Sequence, residues 1–125
     1  MMKFTFLLWF LTKLLQSAAR KNRACAEFIA KKTLVFQIQT ADGMGRHFQV
    51  ANGQIRSQAG LTASPGFTLT FSNAKKGFAV LSSKDGQDAF MGALRDGDLV
   101  ISGDFVEVMW FQQLTQYLQP HPSVS

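Results

Sequence analysis

The segment "TADGMGRHFQVANGQIRSQAG", Thr40 to Gly60, carries one Gly-x-Gly, Gly43-Met44-Gly45, the spacing from which phosphate-cradling loops are made. Such a loop needs its glycines to end a strand and open a helix, whose N-terminal amides then hold the phosphate. Here "RHFQV" follows Gly45 and alternates polar with apolar, and "QIRS" does so again after Asn52-Gly53. The pattern is that of strands, so Asp42-Gly43 and Asn52-Gly53 are read as tight two-residue hairpin turns, and Gly43, Gly45 and Gly53 turn the chain without binding phosphate. His47, the one histidine outside the tail, has parity opposite to Phe48 and faces solvent. Cys25 has no histidine near it in sequence and suits a small buried core position. Asp85, Asp88, Asp96, Asp98 and Asp104 resemble a cluster of acids, yet most stand beside glycine or at helix starts, where turns and caps use them. No nucleophile elbow, histidine pair or Cys-His metal spacing is present. The sequence therefore calls for no catalytic residue, no metal and no cofactor.

The elements that surround these residues account for 125 positions, enough for one domain with a real core. Twelve Phe stand against one Tyr and two Trp, a balance suited to a core or an apolar cavity. A single cysteine excludes an internal disulfide and fits a reducing compartment such as the cytoplasm. The net charge of +5 is uneven, with seven basic residues and one acid in the first 32 positions, and six and seven in the remaining 93. A basic, apolar end is drawn to anionic lipid. Nucleic acid is not expected as a partner, because the basic run "ARKNR" has no interleaved stacking aromatics.

The N-terminal "MMKFTFLLWFLTKLLQSAARKNR" is too short in apolar run to span a bilayer, since Thr12-Lys13 interrupts it. A cleaved signal peptide ending near Ser17-Ala18-Ala19, and hence export, is one reading, and Lys13 argues against it. As a retained helix, it turns Phe4, Leu7, Leu8, Leu11 and Leu15 to a core, and Phe6, Trp9 and Phe10 outward around Lys13. That outer face, with Arg20 and Lys21 beyond it, suits an anionic membrane interface or a protein partner, a second copy included. A second helix is expected over about Asn22 to Lys32 with Asn22 as cap. Strands follow at "LVFQIQT", "RHFQV", "QIRS" and "FTLTF". Ser72 or Asn73 caps the next helix, and "KDGQDAFMGALRDG" forms a turn and a short helix. "DLVISGD" is a strand, and Asp104 caps a last helix, which turns Phe105, Val108 and Met109 one way and Val106, Trp110, Leu114 and Tyr117 the other. Residues 120–125 read as a disordered tail after the two N-terminal helices of 1–33 and a core of 34–119.

The "FTLTFS" strand running straight into a helix, and the G-x-L-x-I-x-G-D run of Gly97, Leu99, Ile101, Gly103 and Asp104, resemble the sterol carrier protein 2 family from about Leu34 to Leu118. The resemblance implies an α+β fold, a five-stranded mixed and largely antiparallel sheet with helices on one face, enclosing an apolar tunnel. It implies non-catalytic binding of a sterol, fatty acyl chain, phospholipid or isoprenoid, in some bacterial relatives as an accessory to ubiquinone biosynthesis. By inward parity and soft bulk, Phe48, Leu69, Phe71, Phe90, Met91, Leu94, Ile101, Phe105 and Met109 are the residues expected to border the tunnel. A filled core serving as a protein-interaction domain is the competing expectation. The chain departs from the family pattern at Gly66, where an acid usually precedes the strand, in its C-terminal "PSVS", which is no peroxisomal address, and in its aromatic N-terminal helix.

Overall fold

The computed structural model describes residues 2–81, 83 and 86–117, with side chains from Phe4 onward. Its elements run α1 (Met2–Lys21), α2 (Arg23–Ile29), β1 (Leu34–Thr40), β2 (Gly45–Ala51), β3 (Gln54–Ala59), β4 (Phe67–Phe71), α3 (Ala74–Leu81), α4 (Gly86–Asp96), β5 (Leu99–Gly103) and α5 (Phe105–Gln116). The strands form one sheet in the order β3-β2-β1-β4-β5, parallel between β1 and β4 and antiparallel elsewhere. The five-stranded mixed sheet expected from the resemblance is therefore present. The tail from 120 onward lies outside the described residues, as do Lys84 and Asp85 of the expected turn.

Strand periodicity divides the sheet into two unlike faces. One carries Leu34, Phe36, Ile38, Phe48, Val50, Ile55, Phe67, Leu69, Phe71 and Leu99, all buried. The other carries glutamine and threonine. In the parallel β1–β4 register Gln37 lies beside Thr68 and Gln39 beside Thr70, and each glutamine amide donates to its threonine, at 3.1 and 2.9 Å. The link from β3 to β4 crosses this polar face. Its Thr62 N–H donates to the Gln37 side-chain oxygen at 2.8 Å, so both ends of that buried amide are satisfied.

The Asn52-Gly53 hairpin is the two-residue turn expected, with φ of 53° and 72° and Ala51 paired to Gln54. The Asp42-Gly43 turn is not. Thr40 and Met44 close it through Thr40 N–H to Met44 O at 2.8 Å, and Gly43 N–H returns to Thr40 O at 2.9 Å. That makes a three-residue loop in which Gly43 alone has positive φ, and the reason is that Asp42 keeps a negative φ and cannot complete a two-residue primed turn. Gly45 opens β2, not a helix. A Cβ there would stand 2.3 Å from the Ile38 carbonyl oxygen, so the close approach of β1 and β2 requires glycine.

The helices cover the apolar face. α1 lays Phe4, Leu8, Leu11 and Leu15 into the core, with Leu7 half-buried. It is fixed over β3 by Gln16, which donates to Ile55 O at 2.8 Å, and by Thr12, whose hydroxyl meets that of Ser57 at 2.7 Å. Gly77 lets α3 approach α1, since a Cβ there would lie 2.5 Å from a Phe4 ring carbon. Asn22 caps α2 as expected, accepting from Cys25 N–H at 3.1 Å. The helix ends at Ile29, earlier than its charge pattern suggested, and Lys31 and Lys32 lie beyond its last turn. Among the described residues no helix is long and apolar enough to cross a membrane.

Candidate functional site

The last helix decides what the covered face can do. Asp104 caps it, its carboxylate accepting from Val106 N–H at 2.9 Å. Its buried stripe is Val108, Phe111 and Leu114. Phe111, which the two-faced reading of this helix left out, is the central one: its ring lies 4.9 Å from Phe36 and 5.9 Å from Phe67. Phe36 is itself stacked between Phe48 and Phe67, at 5.0 and 4.9 Å with planes 7° apart. Four rings from β2, β1, β4 and α5 thus fill the middle of the covered face. The signal was the spacing of three from Val108 through Phe111 to Leu114, masked by the other apolar residues of the helix.

One flank of α5 is committed to α2. Trp110 stacks on Phe28 at 5.3 Å, Tyr117 tilts against the same ring at 5.6 Å, and Glu107 pairs with Lys32, whose ammonium lies 5.1 Å from the Trp110 ring centroid. The opposite flank carries Phe105, Met109 and Gln112, four and three residues apart and so one above another. Phe105 and Met109 are 54% and 52% exposed. α5 packs on β4 and α4 on β5, so the two helices border adjacent strands at one end of the sheet. On α4, Met91 is 50% exposed and Leu94 partly buried; on β5, Ile101 is partly buried beside Leu69.

The nine residues expected around a tunnel therefore fall into two groups. Phe48, Leu69, Phe71 and Phe90 are core walls, the first three with no exposed surface. Met91, Leu94, Ile101, Phe105 and Met109 are instead half-exposed or partly buried, spread over α4, β5 and α5. Gln112, at helical spacing from Phe105 and Met109 on α5, was not among the residues expected. Its side-chain nitrogen is buried and has no hydrogen-bond partner among the described residues. A separate open groove of about 420 Å³ lies at Glu27, Phe28, Ala30, Lys31 and Lys32, and none of the nine lines it.

His47, Cys25, Asp98 and Asp42 have structural duties. His47 Nδ1 donates to Gly60 O at 3.1 Å. Cys25 is buried, which pushes its thiol pKa up and disfavours the thiolate. Asp98 accepts from the Ser72 hydroxyl at 3.1 Å and lies 3.5 Å from the Lys76 ammonium. The Thr40 hydroxyl donates to Asp42 and holds its carboxyl below the usual range. Among the described residues no three His, Cys, Asp or Glu side chains could hold a metal ion.

A five-stranded mixed sheet with helices on one face defines a small α+β domain. The chain belongs to the SCP-2 sterol transfer family, whose model matches residues 11–116, and lipid binding and transfer is the activity of that family. No curated protein matches the chain. Among solved structures it is similar to a UbiJ-SCP2 ubiquinone synthesis protein, with TM-score 0.64, 14% identity, and coverage of 94% of this chain and 96% of that one. It is also similar to the sterol carrier protein domain 2 of Helicoverpa armigera, with TM-score 0.62, 14% identity and coverage of 94% and 93%. Sterol carrier protein 2 from Yarrowia lipolytica in its apo form gives TM-score 0.51, 16% identity and coverage of 87% and 89%. At these identities the likeness is one of fold.

Proposed function

We propose that this protein binds a long apolar molecule, without catalysis, at the β4–β5 end of the covered face between α4 and α5. The observation that carries the reading is the half-exposure of Met91, Phe105 and Met109 together with the partial burial of Leu94 and Ile101. Soft, unbranched or planar side chains left uncovered next to a filled core supply an adaptable apolar wall. The fold neighbours named for sterol carriage and ubiquinone synthesis support sterols, acyl chains and isoprenoid quinone precursors as the ligand classes to try. Titration of a fluorescent fatty acid tests it: wild type binds saturably, and Met109→Asp weakens binding at least tenfold while remaining folded. Equal binding by both proteins would remove the site.

The same reading places the protein at an anionic bilayer. Phe6, Trp9, Phe10 and Leu14 are exposed on the outer face of α1, Phe6 is packed against Trp9 and Phe10, and Lys13 lies 5.5 Å from the Trp9 ring centroid. Arg20 and Lys21 follow in the last turn. The helix contains no acid, so a homodimer through it would oppose like charges, whereas an anionic lipid surface would neutralise them. Vesicle sedimentation with Trp9→Ser plus Phe10→Ser, and with Arg20→Glu plus Lys21→Glu, should show weakened binding in both. Unchanged binding in both would contradict docking through α1.

The second reading is a protein-interaction domain, favoured by the four-ring stack that fills the middle of the covered face. In that case the exposed α1 aromatics would meet a partner protein.

A further inference from the structure

The sheet and helices satisfy the other inward or interstrand glutamine amides. Gln16 donates to Ile55 O, Gln39 to Thr70, and Gln37 both donates to Thr68 and accepts from Thr62. Gln112 is the exception. Its backbone carbonyl accepts from the Thr115 hydroxyl at 2.8 Å, but its side-chain nitrogen is buried with no acceptor among the described residues. A buried amide N–H without a partner is costly, and native folds keep few of them. This one stands on the flank of α5 that also carries Phe105 and Met109, three residues on from Met109 and seven from Phe105.

We propose that Gln112 is the polar anchor of the apolar site, donating from its side-chain amide to an acceptor oxygen on the ligand. The preferred ligand is then a long apolar molecule bearing a carbonyl, ester, carboxylate or hydroxyl oxygen, and a plain hydrocarbon of equal length binds less well. The inference rests on the site proposed between α4 and α5. Apolar contact with Met91, Phe105 and Met109 supplies affinity in this arrangement, while the single donor fixes which end of the molecule enters. A site made to hydrogen-bond one oxygen discriminates against the analogue that lacks it, because the amide is then left unpaired.

Two pyrene-labelled chains of equal length test the anchor, one ending in a methyl ketone and the other in a methyl group, so that charge does not differ. They are titrated into the full chain as wild type, Gln112→Met and Gln113→Met, the last changing an exposed neighbour. Wild type and Gln113→Met should prefer the ketone on the order of tenfold. Gln112→Met should bind both probes alike, through loss of affinity for the ketone alone. Thermal melting of the unliganded variant, at or above the wild-type midpoint, excludes misfolding as the cause. Equal affinity of wild type for the two probes, or an unchanged preference in Gln112→Met, would overturn the anchor and leave the apolar site standing. Failure of wild type to bind either probe would overturn the site, and the anchor with it.

Discussion

Phe111 of α5 stands over Phe36 of β1 with ring centroids 4.9 Å apart and planes at 55°. Through that contact the helix closes on the stack that Phe36 makes with Phe48 and Phe67. Replacing Phe111 with Ala removes a buried ring from its contacts with Phe36 and Phe67 and should cost about 3–5 kcal/mol, read as a lower urea midpoint with unchanged slope. A cost below about 1 kcal/mol would mean that the stack is not the centre of the core.

Gly77 of α3 and Gly92 of α4 should respond oppositely to alanine. Gly77→Ala places a Cβ 2.5 Å from the ring of Phe4, which is itself buried, and should destabilise by about 1–3 kcal/mol. Gly92→Ala meets only the flexible end of Arg95 at 3.6 Å and should stabilise by about 0.5–1 kcal/mol through helix propensity. Thermal melts of the two variants beside wild type check the pair. A Gly77→Ala variant as stable as wild type would contradict the α1–α3 contact.

These contrasts show what the chain made legible. Alternation in "FTLTF" and "LVFQIQT" gave the strands and their buried faces, because a period of two leaves little choice. The Asn22 and Asp104 caps were readable since their side chains bond locally. The Asp42-Gly43 loop was misread because Asp-Gly serves more than one turn length, and closure by Thr40 and Met44 is a property of the paired strands. Parity and bulk singled out Leu69 and Met109 alike as residues expected to border a tunnel, but could not tell that Leu69 would be fully buried and Met109 half-exposed. That distinction depends on where α5 settles, and Phe111 settles it. Gln112 could not be found from sequence, since an amide's missing partner is visible only once its neighbours are placed.

At the start of α5 the Asp104 carboxylate holds the Val106 N–H, and with it the turn that presents Phe105 and Met109. Asp104→Ala should lower stability by about 1 kcal/mol, whereas Asp104→Asn should lose less, because asparagine caps nearly as well. Chemical denaturation of both variants decides it. An Ala variant as stable as wild type would show the cap to be idle.

Burial raises the Cys25 thiol pKa, so less thiolate is present in the folded protein at any given pH. A thiol reagent at mildly alkaline pH should therefore label the native chain slowly and the denatured chain at once. Equal rates would place Cys25 at the surface and detach α2 from the core.

Photo-crosslinking tests the central claim most directly, with a fatty acid carrying a mid-chain diazirine, irradiated in the presence of the intact protein and followed by peptide mapping. Binding between α4 and α5 predicts adducts within α4, β5 and α5, on side chains such as Met91, Ile101 and Met109, all suppressed by excess unlabelled fatty acid. Adducts confined to the groove at Phe28–Lys32 or to the outer face of α1, or labelling that no competitor reduces, would contradict it.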